Sequence, residues 1–242
     1  MGLDNAKNLC HFPFLATCVA TMSDSEPIDR FVAACPAEFF RRVAEYFDAA
    51  FGEAHAYVTR RIEEPERANM LGQERHARCE AALRAAAKDS KLTCHAPHTR
   101  PAGGRYSIVT AGTTYLIRSN IQTHTGTPRA TSFRREWAAL NAWLDPVQLD
   151  WLQEVPEPRS DRVCGIIVAT AHPRRGDPTV PAFVGLGIPR GDLSGWVSLT
   201  PLPMLLARYH DADSAAHRPK EAEVPIRDLA KPMLKKRPGG KG

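Results

Sequence analysis

The spacing of apolar residues predicts helices in the first third of the chain. Over residues 26–52 the apolar side chains recur at helical spacing and fall on one stripe, formed by Phe40, Val43, Phe47 and Phe51. Pro36 divides this segment into a short helix and a longer one, because proline disrupts a helix interior. Residues 63–88 predict a second long helix. Its thin apolar face predicts a position on the surface, and consists of Met70, Ala77, Ala81 and Leu83.

Alternating polar and apolar residues predict a β-hairpin in the middle of the chain. Its strands cover residues 105–110 and 113–122 and turn at Ala111 and Gly112. Because successive side chains of a strand point to opposite faces, the second strand has an apolar and a polar face. The apolar face carries Tyr115, Ile117 and Ile121, and the polar face carries Arg118, Asn120, Gln122 and, if the strand continues, His124.

A helix, two strands and a short final helix are predicted after the hairpin. Residues 132–144 form the helix, which Thr131 or Ser132 can cap, and its apolar face consists of Phe133, Trp137, Leu140 and Leu144. Continuous apolar runs over residues 163–170 and 182–188 are typical of buried strands. One short helix is expected within residues 196–209.

Helices followed by strands predict an α+β fold: N-terminal helices, then a roughly four-stranded sheet with helices packed on one face. The 242 residues suffice for one sizeable core. We expect a flexible lead-in over residues 1–26, a single domain over residues 27–210 and a basic, flexible tail over residues 211–242. The domain divides into a helical part, 27–90, and a β-rich part, 91–210.

The distribution of charge is uneven along the chain. Residues 90–135 contain seven basic residues and no Asp or Glu, although the whole chain carries only +5. The segments on either side, 1–89 and 136–217, are net acidic, and the segment 218–242 is basic. A patch of one sign attracts ligands of the other, and phosphate is the commonest biological anion. The pattern therefore favours a nucleic-acid-binding protein.

The residues expected to contact nucleic acid lie on the hairpin and at the start of the following helix. Phosphate contacts are expected from Arg105, Arg118, Arg134 and Arg135, and any base preference from Asn120 and Gln122. The alternative is an ordinary solvated sheet face without a ligand. On the binding interpretation, Arg118→Glu weakens binding with little effect on folding.

A metal-independent nuclease or toxin-like phosphodiesterase is a second interpretation of the same segment. Such an enzyme needs a general base, a general acid and a cation beside the phosphate. The candidate catalytic residues are His95, His98 and His124, with Arg118 as the cation. Cys94 with His95 and His98 could supply part of a zinc site, but a second paired ligand motif is missing, so neither a metal nor another cofactor is expected.

A third interpretation is a protein-interaction subunit, in which the basic segment docks an acidic protein or a second copy of the chain. Ala- and Arg-rich composition favours a bacterial source, and a DNA- or RNA-directed defence or toxin–antitoxin system would suit these properties. The six cysteines lack a Cys-x-x-Cys pair, which favours reduced thiols in the cytoplasm. No apolar run approaches the roughly 20 residues of a membrane span.

Overall fold

The computed structural model describes residues 27–99, 104–123, 125–145, 160–172 and 176–217. The predicted lead-in lies outside these ranges, as does the predicted tail from residue 218 onward. The helices are α1 Pro27–Ala34, α2 Ala37–Arg61, α3 Arg67–Asp89, α4 Ser132–Ala138, a 3₁₀ helix Ala139–Leu144, and α5 Leu202–His217. The predicted boundary between residues 210 and 211 therefore falls inside α5. Within the described ranges, no helix is long and apolar enough to cross a membrane.

The strands form one six-stranded mixed sheet in sequential order. They are β1 Thr93–His95, β2 Ile108–Ala111, β3 Thr114–Asn120, β4 Val163–Ala171, β5 Pro181–Pro189 and β6 Trp196–Pro201. Central β3 and β4 pair in parallel, with Ile117 opposite Ile166, and the other neighbours pair antiparallel. The α+β class and the hairpin are confirmed, and Gly112 adopts the left-handed φ of 58° at the hairpin turn.

The sheet has six strands rather than about four, because both edge strands escaped prediction. Strand β1 lies in a segment for which no strand was predicted, and its three residues are too few to show a period. Strand β6 lies in the part of residues 196–209 that precedes the expected short helix, which begins at Leu202. Most residues of β6 are partly exposed on both faces, so their polarity does not alternate clearly.

The larger part of the core lies between one face of the sheet and the helices α1, α2, α3 and α5. Phe31, Phe39 and Phe47 pack there against sheet residues such as Leu116 and Ile167. Helix α3 is not the surface helix that its sequence predicts, since it packs along α2 and contributes to the core. Its buried apolar residues are Cys79, Ala82, Leu83, Ala86 and Ala87, whereas the predicted Ala77 and Ala81 are exposed.

Helix α4 and the 3₁₀ helix lie on the opposite face of the sheet, so helices cover both faces rather than one. Ala138 packs there against Ile117, Ile166 and Val168. The predicted helix over residues 132–144 thus begins where expected, at the Thr131 cap, and tightens into a 3₁₀ helix from Ala139.

Asn141 fixes the 3₁₀ helix to the sheet. Its side-chain NH₂ donates to the Cys164 and Pro189 carbonyls, each at 2.9 Å, and its Oδ1 accepts from the Cys164 N–H at 2.8 Å. Pro189 has no N–H with which to bond β4, so the Asn141 amide takes over the pairing at this end of the sheet.

Replacement of Asn141 by Ala is expected to lower the free energy of unfolding by about 3 kcal/mol, because it leaves buried backbone groups without partners. Urea unfolding followed by circular dichroism measures this loss. Asn69→Ala, at an exposed position of α3, is the matched control and should cost nothing measurable. Equal stability of the two variants would contradict the assigned role.

Candidate functional site

Arg118, on the polar face of β3, turns towards α3 and not towards solvent, whereas Asn120 is exposed. The Arg118 side chain is 1% exposed. Its Nη1 donates to the His76 carbonyl at 2.7 Å, and its Nη2 donates to the Asn120 side-chain oxygen. The predicted alternation of β3 is therefore correct, but the expectation that Arg118 belongs to a solvated surface is wrong.

Glu80 of α3 supplies the counter-charge that the acid-free segment lacks. Its carboxylate is 3% exposed, and Oε1 lies 3.8 Å from Arg118 Nη1. Its Oε2 accepts from the Ser107 N–H at 2.7 Å, which ties the pair to the start of β2. Charges removed from water require such partners, so this contact joins α3 to the hairpin.

Arg134 is the second buried arginine of the predicted set. It lies in the first turn of α4 and is 7% exposed. Its Nη1 donates to the Arg129 carbonyl at 2.9 Å, and its guanidinium carbon lies 5.7 Å from the centre of the Tyr106 ring. The pKa of this guanidinium is lowered, mainly by its burial.

A cavity of about 590 Å³ opens beside these buried groups, between α3 and the segment that leads into β2. We call it the basic pocket; its polar lining residues are His76, Glu80, Arg84, Arg105 and Tyr106. Arg84 Nη1 donates to the Ser107 hydroxyl at 3.0 Å, while the exposed Arg105 donates from Nη2 to His98 Nε2 at 2.7 Å. The pocket thus has two arginines in its wall.

Positive charge exceeds negative charge at this site. Arg84 and Arg105 line the pocket, Arg118 and Arg134 are buried close to it, and Glu80 is the acidic member of this group. Four arginines against one glutamate leave a formal surplus of three positive charges. Because two of the guanidinium groups are buried, water screens their field less than that of surface charges.

Three buried polar atoms of this group have no hydrogen-bond partner among the described residues: Arg118 Nε, Arg134 Nε and Glu80 Oε1. Native proteins satisfy most buried polar atoms, so a water molecule or an ion that reached these atoms would complete their hydrogen bonds. The burial of a second guanidinium beside one Arg–Glu pair is unfavourable for stability by itself.

His76 is neutral at physiological pH and presents a donor. Burial, with the nearby charges of Arg118 and Arg134, lowers the pKa of His76 from the usual 6.5 to about 4. Arg118 Nη1 lies 3.1 Å from His76 Nδ1, and a guanidinium can only donate, so Nδ1 is the acceptor. The proton of the neutral ring therefore sits on Nε2, which makes His76 a hydrogen-bond donor and a poor general base.

The candidate catalytic histidines are not arranged as an acid–base pair by any described contact. His98 is bound by Arg105, and His95 is exposed on β1. His124 lies outside the described residues. Among the residues that the structure describes, no group of three or more His, Cys, Asp or Glu side chains is placed to hold a metal ion.

The predicted binding residues divide into those at the pocket and those away from it. Arg105 lines the pocket, Arg118 and Arg134 are buried near it, and exposed Asn120 accepts from Arg118. Gln122 and Arg135 are exposed, and no described contact joins them to the pocket.

Sequence reasoning missed His76, Glu80 and Arg84, which form the α3 side of the pocket. These three polar residues are spaced four apart in an Ala-rich helix, so they share one face. That spacing was the signal in the sequence that could have found them.

Comparison with known proteins gives no relative from which a function could be transferred. No family model, no curated protein and no solved structure matches this chain. The chemistry of the basic pocket therefore carries the functional argument by itself.

Replacement of Arg118 by Ala is expected to lower the free energy of unfolding by about 3–5 kcal/mol, since it leaves the Glu80 carboxylate buried without its counter-charge. Arg118→Glu should destabilise the fold further, contrary to the sequence-based expectation. Urea unfolding of Arg118→Ala, Glu80→Ala and the double variant tests this. The double variant should lose less than the two single losses added together, and strict additivity would contradict the pairing.

The pKa of His76 predicts how stability depends on pH. The unfolded chain takes up a proton on this ring near pH 6.5 and the folded chain only near pH 4, so acid favours unfolding within that window. His76 contributes fully above pH 6.5, and its contribution is lost as the pH falls towards 4. Urea unfolding at several pH values should show a shallower decline for His76→Gln than for wild type; parallel curves would contradict the lowered pKa.

Proposed function

We propose that this protein binds nucleic acid through phosphate contacts at the basic pocket. The surplus of positive charge at the pocket, to which two buried arginines contribute, is the observation that supports this proposal. An anion in the pocket would offset that surplus and stabilise the folded protein.

The donor groups of the pocket suit a phosphate. Arg84 and Arg105 present planar guanidinium groups, which can donate two parallel hydrogen bonds to one phosphate. His76 adds an uncharged donor at Nε2. Its acceptor atom, Nδ1, already takes a hydrogen bond from Arg118 and therefore does not repel the anion. Arg105 is exposed and is therefore accessible to a ligand. Its hydrogen bond to His98 is also exposed, so a ligand can replace it.

Arg118 and Arg134 act from behind the pocket in this proposal. Arg118 orients His76 by donating hydrogen bonds to the His76 carbonyl and to His76 Nδ1. It also holds the Glu80 carboxylate, which is bonded to the hairpin. The positive potential of both guanidinium groups extends into the pocket and favours an anion there.

A reducing compartment suits the cysteines of the described chain. Cys35, Cys79, Cys94 and Cys164 are free thiols, and burial raises the pKa of each of them. We therefore propose a cytoplasmic setting. The Ala- and Arg-rich composition favours a bacterial cell, and we propose that the protein belongs to a DNA- or RNA-directed system such as defence or toxin–antitoxin.

The double variant Arg84→Gln/Arg105→Gln is expected to bind nucleic acid about tenfold more weakly than wild type, because two phosphate contacts are lost. Fluorescence anisotropy with labelled strands at two salt concentrations measures the affinity and its salt dependence. The slope of log affinity against log salt should become shallower by about 1.4 for a single strand. Arg60→Gln, an exposed arginine on α2, is the matched control and should match wild type.

The same titrations separate the proposal from its alternatives. Equal affinity of wild type and the double variant would overturn the assignment of the pocket. Shortened strands on a gel, with EDTA present, would favour the metal-independent nuclease. Absence of binding at low salt would overturn the proposal and favour an acidic protein, or a second copy of this chain, as the partner of the pocket.

A further inference from the structure

A row of aromatic rings leads away from the basic pocket. We call it the aromatic row; it consists of His76, Tyr106, Phe133, Trp137 and Tyr115. The centres of neighbouring rings are 4.8–6.4 Å apart, and Tyr106 and Phe133 are stacked with their planes at 17°. His76 and Tyr106 also line the pocket, so the row begins where the proposed phosphate site lies.

The rings of this row differ from the aromatic core. All five are partly exposed, whereas Phe31, Phe39 and Phe47 in the core are fully buried. Tyr115, Phe133 and Trp137 pack against the part of the core on the α4 side of the sheet, and each keeps part of its surface accessible to solvent. The row therefore presents an aromatic surface to a ligand.

Positive side chains follow the same course as the aromatic row. Arg105 lies at its pocket end, and the guanidinium of Arg134 lies over the Tyr106 ring. A ligand with both phosphates and flat rings matches this combination, because phosphates pair with guanidinium groups and bases stack on aromatic rings.

We propose that the aromatic row stacks on unpaired bases and that the ligand of the basic pocket is single-stranded nucleic acid. This inference rests on the proposed function. The bases of a duplex are stacked on one another inside the helix and expose only their edges, so a duplex would leave the row without contacts. Trp137 and Tyr115 are the rings that stack on bases, because their ring contacts within the row are tilted by 45–57°, whereas Tyr106 and Phe133 already stack on each other.

The test compares strands that share phosphates and differ in bases. Anisotropy is measured with a labelled oligothymidylate, an abasic strand of equal length and a matched duplex, and an oligouridylate distinguishes RNA from DNA. Wild type should bind one of the base-bearing single strands about tenfold more tightly than the abasic strand. Trp137→Leu should abolish this preference while it keeps the salt dependence that the arginines supply.

Trp143→Leu is the matched control, because Trp143 lies outside the row, with its Nε1 donating to the Arg162 carbonyl at 3.0 Å. This variant should retain the tenfold preference. Thermal unfolding checks that both variants fold, and Tyr115→Leu replaces Trp137→Leu if the latter does not. Quenching of tryptophan fluorescence by the base-bearing strand, but not by the abasic strand, is expected in wild type.

The outcomes separate this inference from the proposed function. Salt-sensitive binding of equal strength to the base-bearing, abasic and duplex ligands would overturn the stacking inference and leave phosphate binding in place. Retention of the preference in both Trp137→Leu and Tyr115→Leu would also overturn it. Absence of binding to every strand would overturn the proposed function itself.

Discussion

The contact of Arg118 with α3 is the interaction on which the rest of this structure depends. A central strand delivers the guanidinium into the interface with a helix, where it meets the His76 carbonyl and the Glu80 carboxylate. The contact fixes the helix against the hairpin, and the basic pocket opens between this helix and the segment that leads into β2. Replacement of a buried ion pair by hydrophobic residues of similar volume is often neutral or stabilising, so the stability of the fold does not by itself account for this buried charge.

Burial of the arginines has two opposite effects at this site: it lowers the stability of the fold, and it strengthens the positive potential in the pocket. Arg134 adds a second buried guanidinium beside Tyr106, and one carboxylate cannot neutralise both cations. Water would relieve this imbalance if the groups were exposed, but then their field would also be screened. Partial burial keeps the potential in the pocket strong, and in our proposal the aromatic row takes the uncharged part of the same ligand.

Local patterns in the sequence predicted much of the fold, and pairings between distant segments explain what they missed. The alternation of β3 correctly separated Ile117 from Arg118, but no local pattern shows which face meets another element. The element that Arg118 meets is α3, and its contact residue His76 lies 42 positions away in the sequence, beyond the reach of any local pattern. The absence of acids from residues 90–135 pointed towards the segment that contains Arg105, Arg118 and Arg134, yet its counter-charge, Glu80, lies in a helix considered only for its apolar face. The edge strands were missed because they are short or have no clear alternation.

The most direct test of the account is the stability of the protein with and without a single-stranded oligonucleotide. A ligand that binds only the folded state raises the free energy of unfolding, by about 2.7 kcal/mol at a concentration of about a hundred times Kd. The account predicts that the urea midpoint of wild type rises with added strand and that the midpoint of Arg84→Gln/Arg105→Gln rises much less. An unchanged wild-type midpoint at low salt would contradict the claim that the basic pocket takes a phosphate ligand.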